Sequence, residues 1–284
     1  MNHQLLIADS GSTKTDWALV PIDGGLARQV TTQGINPFNQ DEPTIRRILC
    51  EELLPLIGDV DGVGRIRFYG SGVRPELQGL MESLLRDAFP SAVDIQARGD
   101  LLGAARALCG HEEGIACILG TGANSCLYDG EHIVANIPPM GYILGDEGSG
   151  AVLGRRFLNA LYKSRLNDRL REDFEQWAGM TMADVIDRVY RQPLANRWLA
   201  SLSVFIHEHV GEPEVEALVI DNFRDFIQLN IRPYGRQDLP LNAVGSIACY
   251  YQEQLGKAAR AEGYRLGKVM RSPLEGLIHV EQLG

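Results

Sequence analysis

Hydrophobic positions in this chain gather into short runs bounded by small polar residues, then fall into helical spacing, and that order occurs twice. Leu5-Leu6-Ile7-Ala8 runs into Asp9-Ser10-Gly11-Ser12-Thr13-Lys14-Thr15 and out through Trp17-Ala18-Leu19-Val20, the pattern of a strand, a small polar turn and a second strand. Arg28 to Ile35 predicts a third strand, left through the turn Gly34-Ile35-Asn36-Pro37-Phe38-Asn39. Asp41-Glu42-Pro43-Thr44 then opens a helix with acids and a proline in its first turn, and Ile45, Ile48, Leu49, Leu53 and Leu56 give it an apolar face. Arg65 to Tyr69 reads as a strand, Pro75 to Phe89 as a helix and Ala92 to Gln96 as a short strand. Gly99-Asp100 opens a helix through Cys109.

The second half restarts this order with strands Ile115–Leu119, Asn124–Tyr128 and His132–Ala135, followed by a loop from Asn136 to Gly150. A helical run extends from Ala151 to Leu229, with breaks near Lys163–Asp168, Gly179–Met180, Gln192-Pro193 and Gly211–Pro213. The strand Leu241–Val244 ends at Gly245-Ser246, where a helix through Arg260 begins; Tyr264 to Val269 predicts a last strand and Pro273 to Val280 a last helix. The repeat is one of structure: a strand-rich start, then alternating helix and strand.

Composition narrows the class. With 284 residues the chain has room for two domains, and 45% hydrophobic with 23% charged residues is ordinary for a globular protein. The net charge of −10 and the lack of a basic stripe argue against nucleic acid or an anionic membrane as partner. No apolar run approaches membrane-spanning length and no charged-then-apolar leader opens the chain, so a cytoplasmic location is expected. Cys50, Cys109, Cys117, Cys126 and Cys249 have no metal or disulfide spacing and read as buried reduced thiols. The histidines show no metal spacing, and Arg165 to Arg171 reads as a solvated charged run. There is no P-loop, no dinucleotide-binding Gly-x-Gly-x-x-Gly after a strand and no nucleophile elbow.

The candidate chemistry lies in the turns. A turn built from Ser10, Gly11, Ser12 and Thr13 can bring amides and hydroxyls close to an anion, and Asp9 at the strand end can hold a metal through water. Alone, such a turn reads more readily as a hairpin that satisfies its own backbone. It is not alone: Leu119-Gly120-Thr121-Gly122-Ala123-Asn124-Ser125-Cys126-Leu127-Tyr128 repeats the design, and two such turns suggest two lobes closing on one polyphosphate. Asp100, where a strand meets a helix, reads either as a helix N-cap or as a base, and both roles can coexist.

Taken in order, Asp9-Ser10-Gly11-Ser12-Thr13-Lys14-Thr15, Leu119-Gly120-Thr121-Gly122-Ala123-Asn124-Ser125, Leu144-Gly145-Asp146-Glu147-Gly148-Ser149-Gly150 and Val244-Gly245-Ser246-Ile247 resemble four motifs of one family. That family is the N-acetylglucosamine kinase and BadF/BadG ATPase-like family of the actin, hexokinase and Hsp70 superfamily. The resemblance implies an α/β, two-lobed actin/hexokinase-like (ribonuclease H-like) fold, each lobe a mixed five-stranded sheet with flanking helices and the second lobe carrying extra helices. The implied lobes are residues 1–112, with the first phosphate turn, and 113–284, with the second phosphate turn, helical insert and adenosine turn. It further implies an ATP-dependent sugar kinase acting on N-acetylglucosamine at its 6-hydroxyl, with Mg2+ and a small-molecule sugar as partner, and it is compatible with a homodimer.

Carried over residue by residue, the resemblance places ATP phosphates at Gly11, Ser12, Thr13, Lys14, Thr121 and Gly122, the adenosine at Gly245 and Ser246, and Mg2+ at Asp9 through water. Asp100 becomes the general base, and Asn36, Asp100, Gly141 and Asp146 the sugar contacts, with Glu147 in an orienting or metal-water role. One departure stands out: where mammalian-type kinases have Trp-Gly before the Gly-Asp-Glu-Gly-Ser loop, this chain has Met140-Gly141, which alters an aromatic or backbone contact to the sugar. Two alternatives share the fold. One is an ATPase driving a partner enzyme, as in the reductase and dehydratase activators, whose relatives hold an iron–sulfur cluster through cysteines. The other is a non-catalytic sugar sensor; sugar-responsive repressors of this fold carry a helix-turn-helix, for which Met1-Asn2-His3-Gln4 leaves no room.

Overall fold

A computed structural model of the chain describes residues 4–11, 13–21 and 27–283. The chain forms two compact units. Unit 1 comprises the residues up to Glu112 with Gly130–His132 and the segment from Ser272; unit 2 comprises Glu113–Asp129 and Ile133–Arg271.

In unit 1, strands β1 (Gln4–Ser10), β2 (Lys14–Pro21), β3 (Arg28–Gln33), β4 (Val63–Gly70) and β5 (Asp94–Gly99) form one sheet in the order β3-β2-β1-β4-β5. β1 runs antiparallel to β2, and β2 to β3, whereas β1, β4 and β5 are parallel. The continuous apolar run of β1 follows from burial on both faces. Leu6 and Ala8 pack with Trp17 and Phe68 on one face, and Leu5 and Ile7 pack with Tyr69, Ala107, Leu274 and Leu277 on the other. The C-terminal helix Leu274–Leu283 therefore completes the core of unit 1, although a division of the sequence at 112/113 assigns it to the second lobe.

Unit 2 repeats the plan with β6 (Gly114–Leu119), β7 (Ala123–Tyr128), β8 (Ile133–Ala135), β9 (Leu241–Val244) and β10 (Leu266–Met270), in the order β10-β9-β6-β7-β8. β6 is antiparallel to β7 and parallel to β9, which matches β1 with its neighbours. Two mixed five-stranded sheets with flanking helices are the expected fold class. The extra helices lie between β8 and β9, among them Gly150–Tyr162, Asp168–Ala178, Met182–Tyr190, Ala195–Ser201, Ser203–Glu208 and Pro213–Phe226. Phe157, Phe174 and Phe205 interlock at their centre with ring centroids 5.5–5.7 Å apart. Gly154 permits the closest crossing there, since a Cβ on it would stand 2.1 Å from the Leu199 carbonyl oxygen.

Several local readings change. The helix capped by Asp41 is α-helical over Glu42–Arg47, π-helical over Ile48–Leu53 and α-helical again over Leu54–Ile57. The wider π turn shifts the inward position after Leu53 to Ile57, leaving Leu56 exposed, and Cys50 on the same turn also faces out rather than being buried. β5 begins at Asp94, not Ala92, because Val93 is 81% exposed and the Arg67–Asp94 ion pair at 2.6 Å anchors the strand start. The helix after Gly245 breaks at Tyr251, whose hydroxyl donates to the Ser203 carbonyl at 2.6 Å. Within the loop after β8, Gly141–Leu144 forms one helical turn.

Candidate active site

In unit 1 the parallel strands β1, β4 and β5 end side by side, placing Asp9-Ser10, Gly70-Ser71-Gly72 and Gly99-Asp100 along one edge. Carboxyl ends of parallel strands are where α/β sheets present ligand groups. Ser10 and Thr15 are buried and share a 2.6 Å hydroxyl contact; Ser10 donates to the Ile35 carbonyl at 2.8 Å, and both hydroxyls accept from the Ile35 amide. These bonds hold the chain after β3 against the base of the first turn. Gly11 closes that turn by donating to the Lys14 carbonyl at 3.0 Å, and the Thr13 carbonyl accepts from the Gly34 amide at 3.1 Å. Gly11 and Thr13 are exposed. Ser12 lies outside the described residues. Lys14 is exposed and pairs with Asp16 at 2.6 Å.

Asp9 is partly buried at the end of β1, and its carboxyl is pushed up to about 7, first by desolvation and then by the charges of Asp100 and Asp16. Lys14 and the nearby Ser272 hydroxyl act in the opposite direction. Asp100 is the first residue of the helix Asp100–Cys109, and Gly99 is the N-cap, so Asp100 is not itself the capping residue. Its Oδ1 accepts from the Leu101 amide at 2.9 Å, and desolvation raises its pKa. Asn36 is buried and structurally engaged: Oδ1 accepts from the Phe38 and Asn39 amides, closing a turn, and Nδ2 donates to Ser71 Oγ at 3.3 Å. Gly72 must be glycine beside it, since a Cβ there would lie 2.1 Å from Asn36 Oδ1 and Gly72 has φ +79°.

In unit 2 the turn between β6 and β7 is held by its backbone. The Gly120 amide donates to the Gly122 carbonyl at 3.0 Å, and the Gly120 and Thr121 carbonyls accept from Gly150 and Ala151, the first two amides of the following long helix, at 2.8 and 3.2 Å. Thr121 is exposed. Asp146, in a left-handed conformation with φ 55°, folds over the turn so that Oδ2 would lie 3.0 Å from a Cβ on Gly122. Its carboxyl is pushed up to about 6, first by desolvation and also by the Glu147 charge, against the lowering influence of the nearby Ala123 and Gly141 amides. The Glu147 carboxylate accepts from Asn230 Nδ2 at 3.2 Å. Gly245 has φ +125°, and a Cβ on it would stand 2.2 Å from the Leu119 carbonyl oxygen; that contact seats the turn before exposed Ser246 directly on the start of the turn between β6 and β7. Met140, also left-handed at φ 61°, is 63% exposed, and Gly141 beside it is exposed.

Sequence reasoning did not single out Ser71, Ser272 or Glu281. A small-residue turn after β4 was a readable signal for Ser71, and Ser272-Pro273 before a helix was one for a helix start. Nothing in the sequence links Ser272 to Asp9. Among the described residues no cysteine is joined in a disulfide, and no group of three or more His, Cys, Asp or Glu is placed to hold a metal ion. No helix among the described residues is long and apolar enough to cross a membrane.

Two sheets of one topology thus each turn from their first strand through small residues, with partly buried carboxyls beside the turns. No protein-family model and no curated protein matches the sequence. Among solved structures, a candidate N-acetylglucosamine kinase from Porphyromonas gingivalis is 48% identical over 99% of both chains, with a TM-score of 0.95. A candidate N-acetylglucosamine kinase from Chromobacterium violaceum is 20% identical over 98% of both chains with a TM-score of 0.73. A ROK hexokinase from Thermus thermophilus is 18% identical over 98% of both chains with a TM-score of 0.53; these last two likenesses concern the fold. The chain belongs to the N-acetylglucosamine kinase family.

Proposed function

We propose that the chain transfers the γ-phosphoryl group of ATP to the 6-hydroxyl of N-acetylglucosamine. The observation that carries this reading is that Asp9 and Asp100 stand at one edge of the same sheet, at the ends of β1 and β5 with β4 between them, close enough for the charge of Asp100 to raise the pKa of Asp9. Phosphoryl transfer asks the protein mainly for positioning and charge stabilisation, and a carboxylate whose pKa is raised by desolvation is a better acceptor of a hydroxyl proton than a solvated one. Asp100 is that base: as the sugar oxygen bonds to the γ-phosphorus, its proton passes to the Asp100 carboxylate, and the bond to the bridging oxygen breaks to release ADP. The sugar class rests on the 48% identical Porphyromonas gingivalis relative.

In this reading Gly11, Ser12 and Thr13, with Thr121 and Gly122, serve the phosphates, Gly245 and Ser246 the adenosine, and Asn36, Gly141 and Asp146 the sugar. Lys14 contributes at longer range, since its ammonium is engaged by Asp16. The donor set suits Mg2+: a hard cation favours carboxylate oxygen, keeps several waters and needs only one or two protein carboxylates besides phosphate. Asp9 would hold it through water, and when bound it neutralises phosphate charge. Asn36 has one amide hydrogen beyond its bond to Ser71 to offer a hydroxyl, and Asp146 has its remaining lone pairs. Coupled ADP release with Mg-ATP against N-acetylglucosamine, N-acetylmannosamine, N-acetylmuramic acid, glucosamine and glucose tests the proposal. Turnover far above background with N-acetylglucosamine is the expected result; ADP release indifferent to sugar would replace the reading with a partner-driving ATPase.

A further inference from the structure

The segment after the last strand of unit 2 returns to unit 1 and touches it at three places with distinct chemistry. At its start, Ser272 Oγ accepts from the Leu274 amide at 3.3 Å, which orients the side chain, and its hydroxyl lies beside the Asp9 carboxylate and favours its charged form. One turn into the C-terminal helix, Gly276 lies so close to the helix Asp100–Cys109 that a Cβ would meet the Ala107 carbonyl oxygen at 2.6 Å and Ala107 Cβ at 2.8 Å. Toward its end, Glu281 enters a polar knot. Its Oε1 accepts from the Tyr69 hydroxyl at 2.7 Å, Oε2 lies 3.3 Å from Nε of the buried Arg67, and Arg106 donates to the same Tyr69 hydroxyl at 2.7 Å.

Arg106 and Ala107 belong to the helix whose first residue is Asp100. The helix is a rigid hydrogen-bonded rod, so whatever fixes its flank fixes the place of its N-terminal carboxylate. Leu274 and Leu277, buried against Leu5 and Ile7, press the same segment onto β1, the strand that ends at Asp9. We propose that Ser272–Glu281 is a positioning strut, in which Ser272 sets the Asp9 carboxylate directly while Gly276 and Glu281 seat the helix that aims Asp100. The inference rests on the kinase reading for its consequence but not for its geometry. Ser272 is a positioning residue, since it acts through Asp9.

The test compares Ser272→Ala, Ser272→Thr and Gly276→Ala in the full chain. Ser272→Ala is expected to lower kcat about tenfold, the scale of losing one hydrogen bond to a charged group, with the sugar KM changed less than about twofold and thermal unfolding almost unmoved. Ser272→Thr restores kcat, and Gly276→Ala lowers kcat while shifting the Leu101 amide resonance, which reports the start of the Asp100 helix. A stability loss with unchanged kcat in Ser272→Ala would make the segment packing only and overturn the proposal. If the wild-type chain phosphorylates no sugar, the kinase reading fails by itself, and the strut is judged by resonances alone. Movement of the Asp9 carboxyl carbon in Ser272→Ala then supports it, and an unmoved signal overturns it. Should Gly276→Ala fail to fold, the Ser272 pair decides.

Discussion

The two small-residue turns occupy equivalent places in two sheets of one topology, yet they are stocked in opposite ways. The first turn carries its polar groups in its own strands: Asp9, Lys14 and Asp16 for charge, and Ser10 with Thr15 for internal hydrogen bonds. The second is nearly bare backbone, braced by the Gly150 and Ala151 amides, and its carboxylate, Asp146, arrives from a loop more than twenty residues downstream. Unit 1 thus keeps its charge where the strand ends, whereas unit 2 imports it. Substitutions in the first turn and its edge should strike chemistry, while those around the second should strike shape.

The largest expected break in that contrast is Asp100→Asn, which should lower kcat by about 10²–10⁴ while calorimetry with a non-hydrolysable ATP analogue still shows nucleotide binding. Asp9→Asn should come next, with turnover down about a hundredfold and a gain in stability. A folded-state pKa near 7 against an ordinary 3.8 means that ionising Asp9 costs the folded chain more than the unfolded one. That cost is absent below about pH 4, grows between 4 and 7 and is complete above 7. Unfolding in urea at pH 8 should therefore show Asp9→Asn more stable by about 1–3 kcal/mol, a range reduced for partial exposure, with the gap closing as pH falls to 4.

On the shape side, Gly245→Ala combines an unfavourable φ with a clash at the Leu119 carbonyl, and should cost about 2–4 kcal/mol in urea unfolding and raise the KM for ATP. The smallest effect belongs to Lys14→Ala. Its exposed pair with Asp16 is worth at most about 1 kcal/mol, and the KM for ATP should rise no more than about threefold. A hundredfold loss of kcat there would instead put the Lys14 ammonium on the transferring phosphoryl group.

Much of the fold was legible because burial on both faces writes strands as unbroken apolar runs, as in Leu5-Leu6-Ile7-Ala8, and because glycine and proline mark the breaks between helices. The misread positions share a cause in tertiary contact. Leu56 looks inward at α-helical spacing but the π turn rotates it out, and Val93 looks like strand but the ladder starts only where Asp94 meets Arg67. Within the candidate site, Asp9, Asp100 and the two turns stood out through their place at strand ends. The internal duties of Asn36, the left-handed fold of Asp146 over Gly122 and the reach of Ser272 to Asp9 depend on segments far apart in sequence, and no local pattern encodes them.

The return of the C-terminal helix to the first sheet also dictates when unit 1 can be finished. Leu5, Ile7, Ala18 and Val20 are made first, while Leu274 and Leu277, which cover them, are made after the whole of unit 2. Until then, the part of that face not covered by the helix Asp100–Cys109 stays greasy and open, a state prone to sticking to other chains. A chain halted before residue 274 would carry both small-residue turns and still lack a closed first unit, so premature termination close to the end should yield aggregates rather than a slightly shortened enzyme.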